Sequence, residues 1–179
     1  MIPNVNKAKQ YFFAAHGSQL YANEVPYSEH LEHVVEKLTK FGFDDPVMIC
    51  AGYGHDSIED TTTSYNDIVQ RFGTEVAELV YAVTSELGRN RKERNAKTYP
   101  KIAGNLRATA LKLADRIANV DYSLAKGGKD DMYRKEYPEF KRALFVHYLP
   151  NEVPETFETP DNCTAIYRMW AYLDRVIGS

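Results

Sequence analysis

Apolar residues recur along this chain mainly at the spacing of helices, and strand-like alternation is scarce. Ala8, Phe12 and Ala15 mark a first helix over 5–19. Ser28 predicts the N-cap of a second helix running to Phe41, with Glu29 in its favourable first turn and Gly42 as its stop. Asp45-Pro46 opens a third, with Pro46 at the first helical position, that runs through His55 to 58. The β-branched run Thr61-Thr62-Thr63 interrupts the helical pattern, and Ser64 can cap the next element. Short helices over 65–72 and 74–84 hinge at Gly73. The polar stretch 89–101, ending at Pro100, predicts a mobile or loosely helical segment. A longer amphipathic helix over 106–124 carries Leu111, Ala114 and Ala118 on one side. A glycine-bearing loop over 126–129 follows, then helices over 131–148 and 160–177 separated by a proline-bearing segment. The pattern predicts an all-α fold, a compact helical bundle of roughly seven to nine helices.

A length of 179 residues suits one domain with a substantial core. Hydrophobic residues at 44% and charged residues at 26% exclude a disordered chain. A net charge of −3 lacks the basic footprint of a nucleic-acid binder, so an anionic ligand needs a local basic patch or a metal. No apolar run is long enough to span a bilayer, and the start Met1-Ile2-Pro3-Asn4-Val5 does not read as a signal peptide. Cys50 and Cys163 stand far apart in apolar, helix-like segments, as two reduced thiols would in a cytoplasmic protein.

Candidate chemistry concentrates at Gly54-His55-Asp56-Ser57-Ile58-Glu59-Asp60, which ends an apolar helix with an imidazole and three carboxylates. Successive residues such as His55 and Asp56 lie about 100° apart around a helix, so both can lean toward one point between neighbouring helices. Glu59 follows at a spacing that shares their face. The plain alternative is a solvated acidic helix end. Carboxylates there oppose the helix dipole at up to about 1 kcal/mol each, which a bound cation would offset. Pro26-Tyr27-Ser28-Glu29-His30 puts another imidazole in the first turn of a helix. Asp115 sits among Leu111, Leu113, Ala114 and Ala118, where a carboxylate is rarely buried unpaired. Lys112 or Arg116 would be its ordinary partner, or it faces solvent at the edge of the stripe. Together His30, His55, Asp56 and Asp115 would suit a divalent transition metal with open positions for water and substrate oxygens. Arg89, Arg91, Lys92, Arg94 and Lys97 either close over phosphates or form a solvated loop. Tyr133, Tyr137, Tyr148, Tyr167, Trp170 and Tyr172 read as core or interface, His33 either supports the site beside His30 or is an exposed helix histidine, and His16 and His147 take no assigned chemistry.

The order His30, His55-Asp56, Asp115 matches the H…HD…D pattern of the HD-domain phosphohydrolases, which the chain resembles. Gly54 to Ser85 is similar to the hydrolase domains of RelA/SpoT proteins and small stand-alone alarmone hydrolases. The shared features are an HD-x-x-ED core, a Thr-rich turn, a helix ending in Phe-Gly and a helix ending in Val-Thr. Ala15-His16, Gln19, Pro26-Tyr27 and His30 upstream fit the same subfamily, as do Lys112-Leu113-Ala114-Asp115 and Asn119 downstream. The resemblance covers residues 8–125 of a single domain spanning 1–179, with C-terminal helices over 130–178.

The resemblance implies an all-helical hydrolase that uses Mn²⁺ and removes the 3′-pyrophosphate from (p)ppGpp, a small-molecule nucleotide. By position it makes His30, His55, Asp56 and Asp115 the metal ligands, with Glu59 and Asp60 positioning or deprotonating the attacking water. It places Asn119 on the nucleotide, Lys112 near the site, and Arg91 and Arg134 on phosphates. One departure matters. Where the family carries an Arg that packs on guanine, followed by a Lys, this chain has Tyr21 and Ala22. Tyr21 could stack on a base but does not identify guanine, and two cations are gone. Hydrolysis of another nucleotide (a dNTP, a nucleoside monophosphate or NADPH) is therefore the first alternative. A non-catalytic nucleotide-binding regulator comes next, and the complete set of candidate ligands argues against it. A structural interaction domain would leave the acidic cluster unexplained.

Overall fold

The computed structural model describes residues 2–128, 131–145 and 160–178, with side chains from 164 onward in the last stretch. The expected end of the 126–129 loop, the tail of the 131–148 helix, His147, Tyr148, the proline-bearing segment and the Cys163 side chain lie outside the described residues.

Helix α1 (Val5–His16) starts where the Asn4 side chain accepts from the Lys7 N–H. It ends earlier than its periodicity suggests, because Gly17 takes φ 53° and turns the chain into a short antiparallel hairpin. The hairpin pairs β1 (Leu20–Tyr21) with β2 (Val25–Pro26), Tyr21 lying opposite Val25. Two strand residues on each side are too few to show alternation, so this element escaped the sequence pattern. Ala22 and Asn23 carry the reversal at φ 52° and 59°.

Helix α2 (Tyr27–Phe41) begins one residue before the expected Ser28 cap. The hairpin supplies the reason: Pro26 is its last residue, and the Tyr27 N–H is satisfied by the Gln19 carbonyl at 3.0 Å rather than by a side chain. Helix α3 (Pro46–Gly54) is apolar and buried from Met48 to Gly54, the pattern of a segment enclosed by the bundle. It does not continue to residue 58. Ser57 Oγ donates to the Gly54 carbonyl at 2.7 Å, and the chain restarts as the single turn α4 (Ser57–Asp60). Helix α5 (Tyr65–Phe72) opens with the Ser64–Asp67 capping box and meets α6 (Thr74–Val83) at Gly73.

The polar stretch is a regular helix, α7 (Arg91–Ile102), capped by Asn90 and burying Thr98, Tyr99 and Ile102. Pro100 falls in its last turns, where it removes one ladder bond and the helix ends two residues later at Ile102. The longest helix, α8 (Leu106–Ala125), packs on α2, α6 and on α10 (Pro160–Ile177). Helix α9 (Asp131–Leu144) closes against α7 and α10. One hydrophobic core runs through the bundle, from Phe12 and Leu38 to Leu111, Phe140 and Trp170. No helix among the described residues is long and apolar enough to cross a membrane.

Candidate metal centre

Three pieces of backbone converge at one end of α3. The first turn of α2 carries His30, the break between α3 and α4 carries His55 and Asp56, and the middle of α8 carries Asp115. Asp56 sits at φ −103°, ψ 0°, outside regular helix, which turns its carboxylate back beside His55. His30 Nε2 and His55 Nε2 stand 3.2 Å apart. Asp56 Oδ2 lies 2.9 Å from His55 Nε2 and 3.7 Å from His30 Nε2. Asp115 Oδ1 lies 3.5 Å and 3.8 Å from the same two nitrogens. Ligand bonds of 2.0–2.2 Å place neighbouring donors roughly 2.8–3.6 Å apart around one ion. His30, His55 and Asp56 offer donor atoms that all lie within 4.8 Å of one another and fit a shared cation, and Asp115 Oδ1 faces the same two imidazoles from α8 at longer range.

The His55 imidazole is also set in the required state. His55 Nδ1 faces the Gly52 carbonyl at 2.9 Å, an acceptor only, so the proton sits there and Nε2 presents its lone pair to the centre. Both rings are buried, at 2% and 1% exposure for His30 and His55. Burial alone would push the His30 imidazole down, but the Asp115 and Asp56 carboxylates outweigh it and hold it up at about 9. Burial opposes ionisation of both carboxylates too. The His55 and His30 imidazoles nevertheless keep Asp56 well below the usual range, and Lys112 with His30 does the same for Asp115. A buried site that must be answered by positive charge is what a metal cation would fill.

The supporting bonds tie each carboxylate in place. Lys112 Nζ donates to Asp115 Oδ2 at 2.9 Å, and Asn119 Nδ2 donates to Asp115 Oδ1 at 2.5 Å. Tyr27 Oη donates to Asp56 Oδ2 at 2.6 Å and lies 3.3 Å from Asp60 Oδ2. Glu59 Oε2 accepts the Ser85 N–H at 3.1 Å. Burial, then the nearby charges of Asp56 and Glu59, raise the Asp60 carboxyl above its ordinary value.

His30, Asp56, Asp115, Glu59 and Asp60 open on a polar cavity of about 210 Å³, with His55 behind them. Two cavities share its walls. One of about 270 Å³ continues past Tyr21, Asn119 and Tyr133 toward Tyr122 and Lys126. Another of about 280 Å³ continues past Asn95 and Tyr99 toward Lys92 and Lys135.

The structure brings Tyr21, Lys112, Asn119 and Arg91 to the central cavity beside the candidate ligands. Arg91 is held at its edge by Glu136, Nε to Oε1 at 2.5 Å and Nη2 to Oε2 at 3.2 Å. Arg134 is not brought there. It lines none of the three cavities described, and its Nη2 donates to the Val176 carbonyl at 3.0 Å, which anchors α9 to α10. Tyr27, Arg116 and Tyr133 line the central cavity without having been singled out for it. Tyr27 lies within the Pro26-Tyr27…His30 stretch that fits the subfamily. The sequence offers Arg116 as a partner of Asp115, but its Nη1 lies 3.3 Å from Glu136 and its guanidinium rests over the Phe140 ring. Tyr133 belongs to an aromatic series whose spacing does not reveal which ring meets solvent.

A helical bundle with paired imidazoles and carboxylates at the junction of α2, α3 and α8 has the form of a metal centre. The HD domain family model matches residues 8–138, and the chain belongs to that family. It is 37% identical over 121 residues to a guanosine-3′,5′-bis(diphosphate) 3′-pyrophosphohydrolase of Aquifex aeolicus, covering 65% of this chain and 17% of that protein. It is 33% identical over 129 residues to a probable enzyme of the same name from Mycoplasma genitalium, covering 65% and 18%. The chain thus spans less than a fifth of these curated relatives. Among solved structures it is similar to a metazoan ortholog of SpoT described as hydrolysing ppGpp, with TM-score 0.68 and 23% identity over 96% of this chain and 97% of that one. That likeness establishes the fold. A Listeria monocytogenes protein of solved structure matches at TM-score 0.57 and 28% identity, covering 82% of this chain and 96% of that one.

Proposed function

We propose that the chain is a divalent-metal-dependent nucleotide phosphohydrolase that removes the 3′-pyrophosphate of guanosine 3′,5′-bis(diphosphate). The cluster of His30, His55 and Asp56, with Asp115 facing both imidazoles and Glu59 and Asp60 on the same cavity wall, carries this reading. The identity to the Aquifex aeolicus enzyme supports the choice of substrate. The finer expectations belong with it: Mn²⁺ as the metal, a small-molecule nucleotide as the partner, and a cytoplasmic setting.

His30, His55, Asp56 and Asp115 would hold the ion. When bound it supplies Lewis-acid polarisation of a phosphoryl oxygen and makes water acidic enough to react near neutral pH. Glu59, steadied by the Ser85 N–H, takes the proton of the attacking water. Asp60, beside the Tyr27 hydroxyl, orients that water. Lys112 and Arg116 present positive charge inside the cavity, and Arg91 reaches phosphate at its rim. Asn119 contacts the nucleotide where the central cavity opens into the one past Tyr21. The three adjoining cavities give room for a nucleoside with phosphate groups on both sides.

A second reading, hydrolysis of a different nucleotide by the same site, is favoured by Tyr21 and Ala22 standing where the relatives' base-contacting cations are expected. Both are decided by phosphate and pyrophosphate release from metal-stripped protein with Mn²⁺ restored, over ppGpp, GTP, dNTPs and NADPH. Mn²⁺-dependent pyrophosphate release from ppGpp is expected, and Glu59→Gln should abolish it while Mn²⁺ stays bound. Preference for another nucleotide replaces the first reading by the second. Release from none of them by protein that holds Mn²⁺ would sink both.

A further inference from the structure

At the position where a base contact is expected, Tyr21 is turned inward. Its ring lies face to face with the His30 imidazole, centroids 4.6 Å apart and planes 4° from parallel. Tyr122 meets the same ring edge-on at 4.8 Å and Tyr27 at 6.0 Å. Its hydroxyl donates to Asn119 Oδ1 at 2.6 Å. Because Asn119 Oδ1 takes that bond, the amide must present Nδ2 to Asp115, where it meets Oδ1 at 2.5 Å and the backbone carbonyl at 2.9 Å. Asp115 Oδ1 is the oxygen that faces His30 and His55, whereas Oδ2 is held by Lys112.

We propose that Tyr21 is a positioning residue of the metal centre, fixing His30 through its ring and Asp115 through the Tyr21–Asn119–Asp115 chain. This rests on the metal reading of His30, His55, Asp56 and Asp115 given above. One side chain on the hairpin thereby steadies ligands from α2 and α8, which are far apart in sequence. Groups that orient ligands set metal affinity, since an untethered imidazole or carboxylate must be ordered when the ion binds. The stack occupies one face of the Tyr21 ring. The cavity of about 270 Å³ that Tyr21 also lines continues to Tyr122, Lys126 and Met132, which extend the surface open to a base.

The test is Mn²⁺ titration of the metal-stripped full chain, followed by the free-ion paramagnetic resonance signal, with steady-state kinetics at saturating Mn²⁺ alongside. Tyr21→Phe keeps the stack and removes only the bond to Asn119; Tyr21→Leu removes both. Supporting groups of this kind are worth about 10- to 100-fold in metal affinity, so Tyr21→Phe should bind Mn²⁺ about tenfold more weakly and Tyr21→Leu more weakly still. Tyr21→Phe should weaken Mn²⁺ binding by a larger factor than it raises KM at saturating Mn²⁺. Wild-type Mn²⁺ affinity in both variants, with a raised KM, would overturn the proposal and make Tyr21 a substrate contact. Failure of the wild-type chain to bind Mn²⁺ would instead overturn the underlying metal reading. Tyr21→Phe is close to isosteric, so it keeps the question answerable should Tyr21→Leu fail to fold.

Discussion

Gly54 closes α3 immediately before His55, and a methyl group there has nowhere to go. A Cβ on Gly54 would lie 2.6 Å from Phe12 Cζ, 2.9 Å from Cε2 and 3.1 Å from Cε1. Ordinary carbon contacts begin near 3.5 Å, so the ring or the helix end must retreat by about 1 Å. Phe12 has no free path: it is fully buried, with Tyr11 at 5.2 Å and Phe72 at 5.3 Å between ring centroids. Overpacking of this kind costs about 1–3 kcal/mol. For a chain of this length that lowers Tm by about 2–12 °C. If α3 gives way rather than Phe12, His55 and Asp56 move with it, and Mn²⁺ affinity falls as well. Thermal denaturation of Gly54→Ala, alone and in a Phe12→Leu background, separates these terms. Phe12→Leu removes the clashing ring atoms, so the Gly54→Ala penalty should shrink in that background, a non-additivity read as a double-mutant cycle. Gly52→Ala is the contrast. Its Cβ would meet Leu38 Cδ1 at 2.8 Å and Val35 Cγ2 at 3.0 Å rather than Phe12, so its penalty should not depend on the Phe12 background. An equal Gly54→Ala penalty in both backgrounds, or none in either, would refute this account of why glycine precedes His55.

Tyr27→Phe removes the hydroxyl that donates to Asp56 at 2.6 Å; a bond to a charged group carries about 1.5–3 kcal/mol, so kcat should fall at least about tenfold, and an unchanged kcat would remove Tyr27 from the mechanism. Glu136→Gln should loosen its hold on Arg91 and Arg116 and take a carboxylate from beside the phosphate path. KM for an anionic substrate should drop several-fold at low salt, and a rise in KM would show that Glu136 aligns Arg91 rather than sequestering it. Metal restored at a hundred times its Kd should stabilise the stripped protein by about 2.7 kcal/mol, or about 5–11 °C in Tm, and equal melting with and without Mn²⁺ would contradict a site built into the folded state.

What the sequence determined by itself is local. Helical periodicity located most of the bundle because a 3.6-residue repeat is written within each segment, and Ser64, Pro46 and Gly42 act on their own neighbours. The run from Gly54 to Asp60 placed two of the candidate ligands, His55 and Asp56, beside the acids Glu59 and Asp60 because a few residues of chain already hold them close. Tertiary structure decided the rest. Periodicity shows which face of a helix is buried but not what covers it, so it could not say that Tyr133 meets the cavity while Tyr137 enters the core. Arg134 illustrates the same limit: its position in the chain suggested phosphate, yet the register of α9 against α10 aims it at the Val176 carbonyl. The hairpin was too short to leave a pattern, and the bond from Tyr21 to Asn119 spans 98 residues. Contacts of that separation are fixed by how helices pack, not by local propensity. Sequence thus specified the reactive groups, and packing specified which neighbours hold them.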